Sequence, residues 1–257
     1  MATWAELEAE LAAWEDAGRT ATLWWRDDDA VAPGPALTHL TDLSERHAIP
    51  LALAVVPAGI DPELAPFLET RPLTSPLQHG FAHRNHAPDG EKSAEFGPHR
   101  PGEIMAHEIA EGWQLLGRAL ANAAPVFVPP WNRIAPALVP DLAVAGLRGL
   151  STFAPRQTAL PHPAIRQVNT HVDIIAWRAG RCFAGEPRIL HQMVGHLRAR
   201  RLGDVDAGEP TGLLTHHLVH DVGCWTFVDA LFELTRGARS VSWLSVHDAF
   251  ALGVTDE

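Results

Sequence analysis

Short apolar strands alternating with amphipathic helices constrain this chain more than any other feature of its sequence. "TATLWW" (20–25) reads as a strand, "PALTHLTDLSERHA" (35–48) as an amphipathic helix opened by proline, and "IPLALAVVP" (49–57) as a second apolar strand. The alternation continues through "HRPGEIMAHEIAEGWQLLGRAL" (helix), "PVFVPP" (strand), "PALVPDLAVAG" (helix), "GLSTF" and "QVNTHVDII" (strands), "RILHQMVGHLRARR" (helix), "GLLTHH" (strand), "TFVDALFELTRG" (helix) and "VSWLSV" (strand). Parallel strands need long crossovers, usually helical, so the pattern predicts an α/β fold with a mostly parallel sheet. Roughly seven or eight such units within 257 residues favour closure into a distorted (β/α) barrel of about seven β/α units. One more helix stands in front, at about 3–17: Thr3 and Glu6 make a capping box, Trp4, Leu7, Leu11 and Trp14 share a face, and Gly18 supplies the stop. No repeat, low-complexity tract or linker divides the chain, so a single domain over 1–257 is expected.

Charge narrows the partners. Asp plus Glu number 31 against 20 Lys plus Arg, a formal net charge of −11 spread along the chain, which disfavours nucleic acid and anionic membrane and leaves a small-molecule or carbohydrate substrate. The N-terminal "MATWAELEAELAAWEDAGR" is acidic and helical rather than signal-like, and no apolar run reaches the length of a membrane span. Cys182 and Cys224 match no metal spacing, make no disulfide framework and read as structural. A cytoplasmic protein is expected; nothing in the sequence speaks to its oligomeric state.

In a barrel, polar residues that interrupt apolar strands fall at the strand ends and converge on the C-terminal rim. Here these are Asp27, Asp28 and Asp29, "QHGFAH" (78–83), "PPWNR" (129–133), "THVD" (170–173) and "THH" (215–217). Three adjacent carboxylates repel one another and lose hydration on burial, so a compensating positive charge is required. His79 and His83, four apart, would share a face on a helical turn, and one Asp would complete a three-ligand set with an open position for water. A second Asp beside the ligand Asp is placed to act as general base. The polar loop 82–101 reads as an active-site or surface insertion. Trp24 and Trp25 point to opposite faces of a strand, which places at least one in the core.

These segments in this order, "DDDAVAPGPALTHLTDLSERHAIPLALAVV", "HGFAH", "FVPPWN", "DIIAW" and "LLTHH", resemble the five motifs of the NodB-homology polysaccharide deacetylases, carbohydrate esterase family 4. The resemblance runs from about residue 20 to 217, and its first two motifs are the specific ones. It implies a metal-dependent hydrolase that removes an acyl group from an N-acylated amine, an N-acetylated sugar or polysaccharide first among them. It registers Asp27 as base and Asp28 as metal ligand, with Asp29 on the family's glycine; a register one residue later, Asp28 and Asp29, fits the same motif. His79 and His83 match the metal histidines of a divalent ion, zinc first, with cobalt, manganese, nickel and iron as alternatives. The Trp131 N–H is implied as oxyanion donor, and His216 or its neighbour His217 as the acid that protonates the leaving amine. Pro130, Arg133, Asp173 and Trp177 are implied at the substrate.

Two departures stand out. Val128 occupies the place of the third motif's arginine, which pairs with the base, and Ala176 precedes Trp177 where the family has an aspartate. Arg26, Arg133 and Asp173 are the charged residues available to substitute. His86 reads as a loop residue, and His220 with Asp221 is an alternative fifth motif. Two rival readings keep the barrel. One is a metal-independent hydrolase of another C–N bond, like the NodB-like allantoinases. The other is a barrel without turnover that binds a sugar or a metal.

Overall fold

The computed structural model describes residues 2–253. Helix α1 (Trp4–Asp16) opens with the expected capping box, the Glu6 N–H donating to Thr3 Oγ1 at 3.3 Å and the Thr3 N–H to Glu6 Oε2 at 2.8 Å. There follow β1 (Ala21–Ala30), α2 (Pro35–His47), β2 (Leu51–Val55), α3 (Leu64–Glu69), β3 (Thr74–His79), α4 (Gly102–Ala119), β4 (Val126–Val128), α5 (Val139–Val144) and β5 (Gly149–Leu150). Next come β6 (Arg166–Gln167), β7 (Val172–Asp173), a hairpin of β8 (Ile175–Ala176) and β9 (Cys182–Phe183), α6 (Glu186–Leu202), β10 (Thr211–Thr215), α7 (Val222–Arg236), β11 (Val241–Trp243) and α8 (Val246–Phe250).

The strand order is β6-β5-β4-β3-β2-β1-β10-β7, every pair parallel, with β11 beside the start of β1. One run, 166–173, closes the ring because it changes partner along its length. Its first half bonds to the β5 side, through Val168 N–H to Leu150 O (3.1 Å) and Thr170 N–H to Thr152 O (3.0 Å). Its second half bonds to β10, through His171 N–H to Gly212 O (2.8 Å). Taken as one stave it completes a distorted seven-stave (β/α) barrel, the architecture the alternation predicts. The change of partner is also why the strand expected over 167–175 is broken into β6, β7 and β8. The expected strand "VSWLSV" ends at Trp243 and gives way to α8, which the sequence reading missed.

Period two sorts the side chains. Trp24, Ala52, Ala54, Leu77, Val126, Val128 and Val168 fill the barrel interior, while Leu23, Trp25, Leu51, Leu53 and Val55 face the helices. Both tryptophans are therefore core. Helix α8 plugs one end of the barrel with Phe250, edge-on to Trp24 at 5.6 Å. Gly212 lets two staves and Trp24 meet, since a Cβ there would lie 2.5 Å from Trp24 Nε1 and 2.6 Å from Asn169 O.

His171, His196 and Glu209 are buried beside that junction, with ligand-type atoms within 4.8 Å of one another. The two imidazoles, however, lie stacked at 3.5 Å and 17°, so their in-plane lone pairs cannot both point at one ion. The trio is packing, and the "THVD" segment sends only Asp173 toward the rim. Burial pushes the His196 imidazole down to about 2 and His171 below its ordinary value. His196 stays neutral in the fold while the unfolded chain protonates it below about pH 6.5, and the shift of His171 acts in the same direction. The stability present above that pH is therefore lost as pH falls, by up to about 1.4 kcal/mol per pH unit from His196. The melting temperature is expected to drop steadily from pH 6.5 to 4 and to drop less steeply in His196→Gln; equal slopes in a pH-resolved melting series would contradict this.

Candidate active site

Strand β1 runs through the three aspartates instead of stopping before them. Its inner face carries Trp24, Arg26 and Asp28 in succession, so the barrel interior passes from apolar to charged within four residues. Between Asp27 and Ala30 the register against β2 slips, two residues facing one, and Asp29 takes a left-handed φ of 75°. That bulge turns the Asp29 side chain toward the same cavity as Asp28, a direction strict alternation would forbid.

Asp29, His79 and His83 form the group that could hold a metal ion, with ligand atoms within 4.8 Å of one another. Asp29 Oδ1 lies 3.0 Å from His79 Nε2 and 3.2 Å from His83 Nε2. Ligands about 2.1 Å from a shared tetrahedral ion stand roughly 3.4 Å apart, so the donor set fits. The His79 Nδ1–H donates to Val128 O at 3.0 Å, which orients the ring and leaves Nε2 for the cavity. Burial raises the Asp29 pKa, but the bonds from His79 and His83 outweigh it and hold the carboxyl well below its usual range.

The two histidines do not share a helical turn, contrary to expectation. His79 ends β3, and His83 sits in a loop with φ 54°. Glu95, buried in the loop 82–101, shapes that turn by accepting from the N–H groups of Phe81 (3.1 Å), Ala82 (2.8 Å) and Arg84 (3.3 Å). Gly80, at φ 58°, is required here because a Cβ would meet Glu95 Oε2 at 2.2 Å and Pro130 at 2.6 Å. Glu95 was invisible in the sequence reading, since its role depends on a loop conformation. Pro130, expected at the substrate, instead packs in this turn.

Asp28 is not among the metal-type ligands. Arg26 grips it with two parallel bonds, Nε to Oδ1 at 2.8 Å and Nη2 to Oδ2 at 3.0 Å. The remaining Arg26 donors reach Ser151 Oγ (2.6 Å), Thr152 O (3.4 Å) and Asn132 Oδ1 (2.7 Å), so a fully buried guanidinium has every N–H satisfied. Arg26 thus supplies the carboxylate partner that Val128 cannot. Its i, i+2 spacing to Asp28 on a strand is the sequence signal that could have singled it out.

Asp27 and His217 lie outside the cavity, correcting the first register. Asp27 is fully buried on the outer face of β1, where it accepts from Thr215 Oγ1 (2.6 Å), the His217 N–H (3.0 Å) and His217 Nδ1. Burial raises the Asp27 pKa and lowers that of His217, but in each case the partner's charge prevails, leaving Asp27 low and His217 high. Removing one member of a buried ion pair costs about 3–5 kcal/mol. Asp27→Ala is therefore expected to lower the melting temperature sharply without reducing whatever divalent metal the folded wild type binds; loss of bound metal at unchanged melting temperature would place Asp27 in the site after all.

The cavity itself measures about 640 Å³ and is lined by Asp28, Asp29, His79, His83, Trp131, Asn132, Arg133, Trp177, Arg181 and His216. These residues lie at or just beyond the C-terminal ends of β1, β3, β4, β8 and β10, so the convergence on one rim holds. Trp131 and Asn132 both take left-handed φ, 55° and 57°. Among the described residues, the Trp131 N–H donates to no protein acceptor. His216 Nε2 is 3.9 Å from Asp28 Oδ2, and its buried Nδ1 has no partner among the described residues. Trp177 packs edge-on against the His216 ring at 4.6 Å. Asp173 anchors that tryptophan, accepting from Trp177 Nε1 at 2.7 Å, and burial pushes its own pKa up. Asp173 therefore acts on the site through Trp177 and does not line the cavity. His220 is half-buried with both ring nitrogens buried, and that loss of hydration pushes its pKa down to about 4; it is not a cavity residue.

No family model and no curated protein matches the sequence. Solved structures do match over nearly the whole chain. The T48 deacetylase, solved with substrate, is 15% identical with a TM-score of 0.56, covering 92% of this chain and 93% of its own. A family 4 acetyl xylan esterase from Clostridium thermocellum, in complex with a cobalt ion, is 13% identical with a TM-score of 0.51 and coverage of 91% and 93%. A Bacillus anthracis pseudoenzyme of carbohydrate esterase family 4 is 11% identical with a TM-score of 0.58, covering 90% of this chain and 66% of its own. The chain therefore has, at far-diverged sequence, the NodB-like barrel fold of the polysaccharide deacetylases of carbohydrate esterase family 4.

Proposed function

We propose that this protein is a metal-dependent hydrolase that removes an acyl group from an N-acylated amine, with an N-acetylated sugar as the first substrate to test. The observation that carries the reading is the division of labour in one cavity: a three-ligand cluster (Asp29, His79, His83), an arginine-paired carboxylate beside it (Asp28), and a histidine with a free buried nitrogen (His216). Asp29, His79 and His83 would hold one divalent ion, zinc or another first-row metal. When bound, such an ion polarises a carbonyl and lowers the pKa of water.

The chain's own residues supply the rest. Asp28, fixed by Arg26, takes a proton from the attacking water. The Trp131 N–H is free to donate to the oxygen of the acyl group as charge develops there. His216, held against Trp177, delivers a proton to the departing nitrogen. This adopts the later of the two registers. No helix of the described residues is long and apolar enough to cross a membrane.

The likeness to a pseudoenzyme supports a second reading, a barrel that binds sugar or metal without turnover. The test is acetate release from N-acetylglucosamine and its short oligomers by protein loaded in turn with zinc, cobalt and manganese. Release abolished by chelator supports the proposal. Stoichiometric metal without release from any N-acyl substrate supports the binding barrel, and release unaffected by chelator favours a metal-independent C–N hydrolase.

A further inference from the structure

The hydrolase reading leaves two residues of the cavity without a task, Arg133 and Arg181. The carboxylates lining the same cavity, Asp28 and Asp29, are already engaged, one by Arg26 and the other by the two histidines. Among the described residues neither arginine pairs with a carboxylate: Arg133 Nη1 donates to the Ser93 carbonyl at 2.6 Å, which aims the guanidinium while leaving other donors free. Arg181 closes the turn between β8 and β9 at φ 56°, a conformation that glycine or asparagine adopts at lower cost. A non-glycine residue held there beside a candidate site is the kind of outlier that points to function. The two arginines come from separate parts of the rim, in a chain whose net charge is −11. Beside Arg133 the surface continues into a second cavity of about 500 Å³, which also carries Arg156, Gln157, Gln167 and Asn169.

We infer that the substrate carries an anionic group, a carboxylate or a phosphate, which Arg133 and Arg181 receive next to the reacting amide. This rests on the deacylation reading for the identity of the reacting group. Charge-assisted bonds from arginine to either anion are short and strong, and the planar fork suits both. A neutral N-acetyl sugar would fill the cavity and leave these donors to water.

The test compares N-acetylglucosamine with N-acetylglucosamine 6-phosphate and with N-acetylglucosaminuronic acid, in metal-loaded wild type and in Arg133→Gln, Arg181→Gln and the double variant. For at least one anionic probe, kcat/KM is expected to exceed that of the neutral sugar about tenfold or more. The difference should reside in KM, shrink with added salt, and fall toward one in the double variant. Which probe shows it separates phosphate from carboxylate. A wild-type ratio at or below one, or a ratio the double variant leaves unchanged, overturns the inference. If none of the three is turned over, calorimetric binding of the same probes decides the anion site separately from the deacylation reading. Tighter binding of an anionic probe, lost in the double variant, supports it; equal binding, or binding indifferent to both arginines, refutes it.

Discussion

Asp28→Asn is expected to keep its bound metal and to lose hydrolysis by about 10²- to 10⁴-fold, the usual contribution of a positioned base. Asparagine preserves the volume and can still accept one bond from Arg26, but it cannot take a proton. It also leaves the buried Arg26 charge without its counter-ion, so some loss of stability accompanies the change. The kinetic effect must therefore be measured on protein shown to be folded by circular dichroism and to contain metal by elemental analysis. An Asp28→Asn enzyme that retains half of its activity would remove Asp28 from the chemistry.

Metal content separates the two registers more sharply. Purified wild type is expected to hold about one divalent ion per chain, and Asp29→Ala and His79→Ala to hold almost none, because three protein ligands leave no redundancy. Activity in those two variants should fall at least as far as in Asp28→Asn. Asp28→Ala, by contrast, should still bind the ion. His79→Ala serves as the reference, since both registers assign His79 as a ligand. Should Asp28→Ala lose the ion while Asp29→Ala keeps it, the bulge in β1 would not orient the aspartates as described, and Asp28 would be the ligand.

The fold was legible because its signal is long and redundant. Each short apolar strand and each amphipathic helix repeats the same instruction, and no local error undoes it. Where strands were misjudged, as over 167–175 and 241–246, the cause lay in pairing: a strand continues only while a neighbour is beside it, and the run 166–173 changes neighbours midway. The site was legible in its residue types and general placement. His79, His83, Trp131, Trp177 and His216 do meet in one cavity.

What the sequence by itself determined is thus the alternating α/β architecture, the rim on which polar residues gather, and a choice of two adjacent registers for the aspartates. Only the tertiary structure shows which of the three aspartates share a cavity. A strand's period of two would place Asp27 and Asp29 on one face and Asp28 on the other, and a motif reading has no means of locating a bulge. The left-handed turn at Asp29 breaks that period, bringing Asp28 and Asp29 to one cavity while Asp27 stays with His217 behind the sheet. The partner for Asp28 was equally a tertiary matter. Arg26 is fully paired only because the barrel brings Ser151, Thr152 and Asn132, more than a hundred residues away, to its remaining N–H groups. A buried guanidinium without them would be too costly to keep.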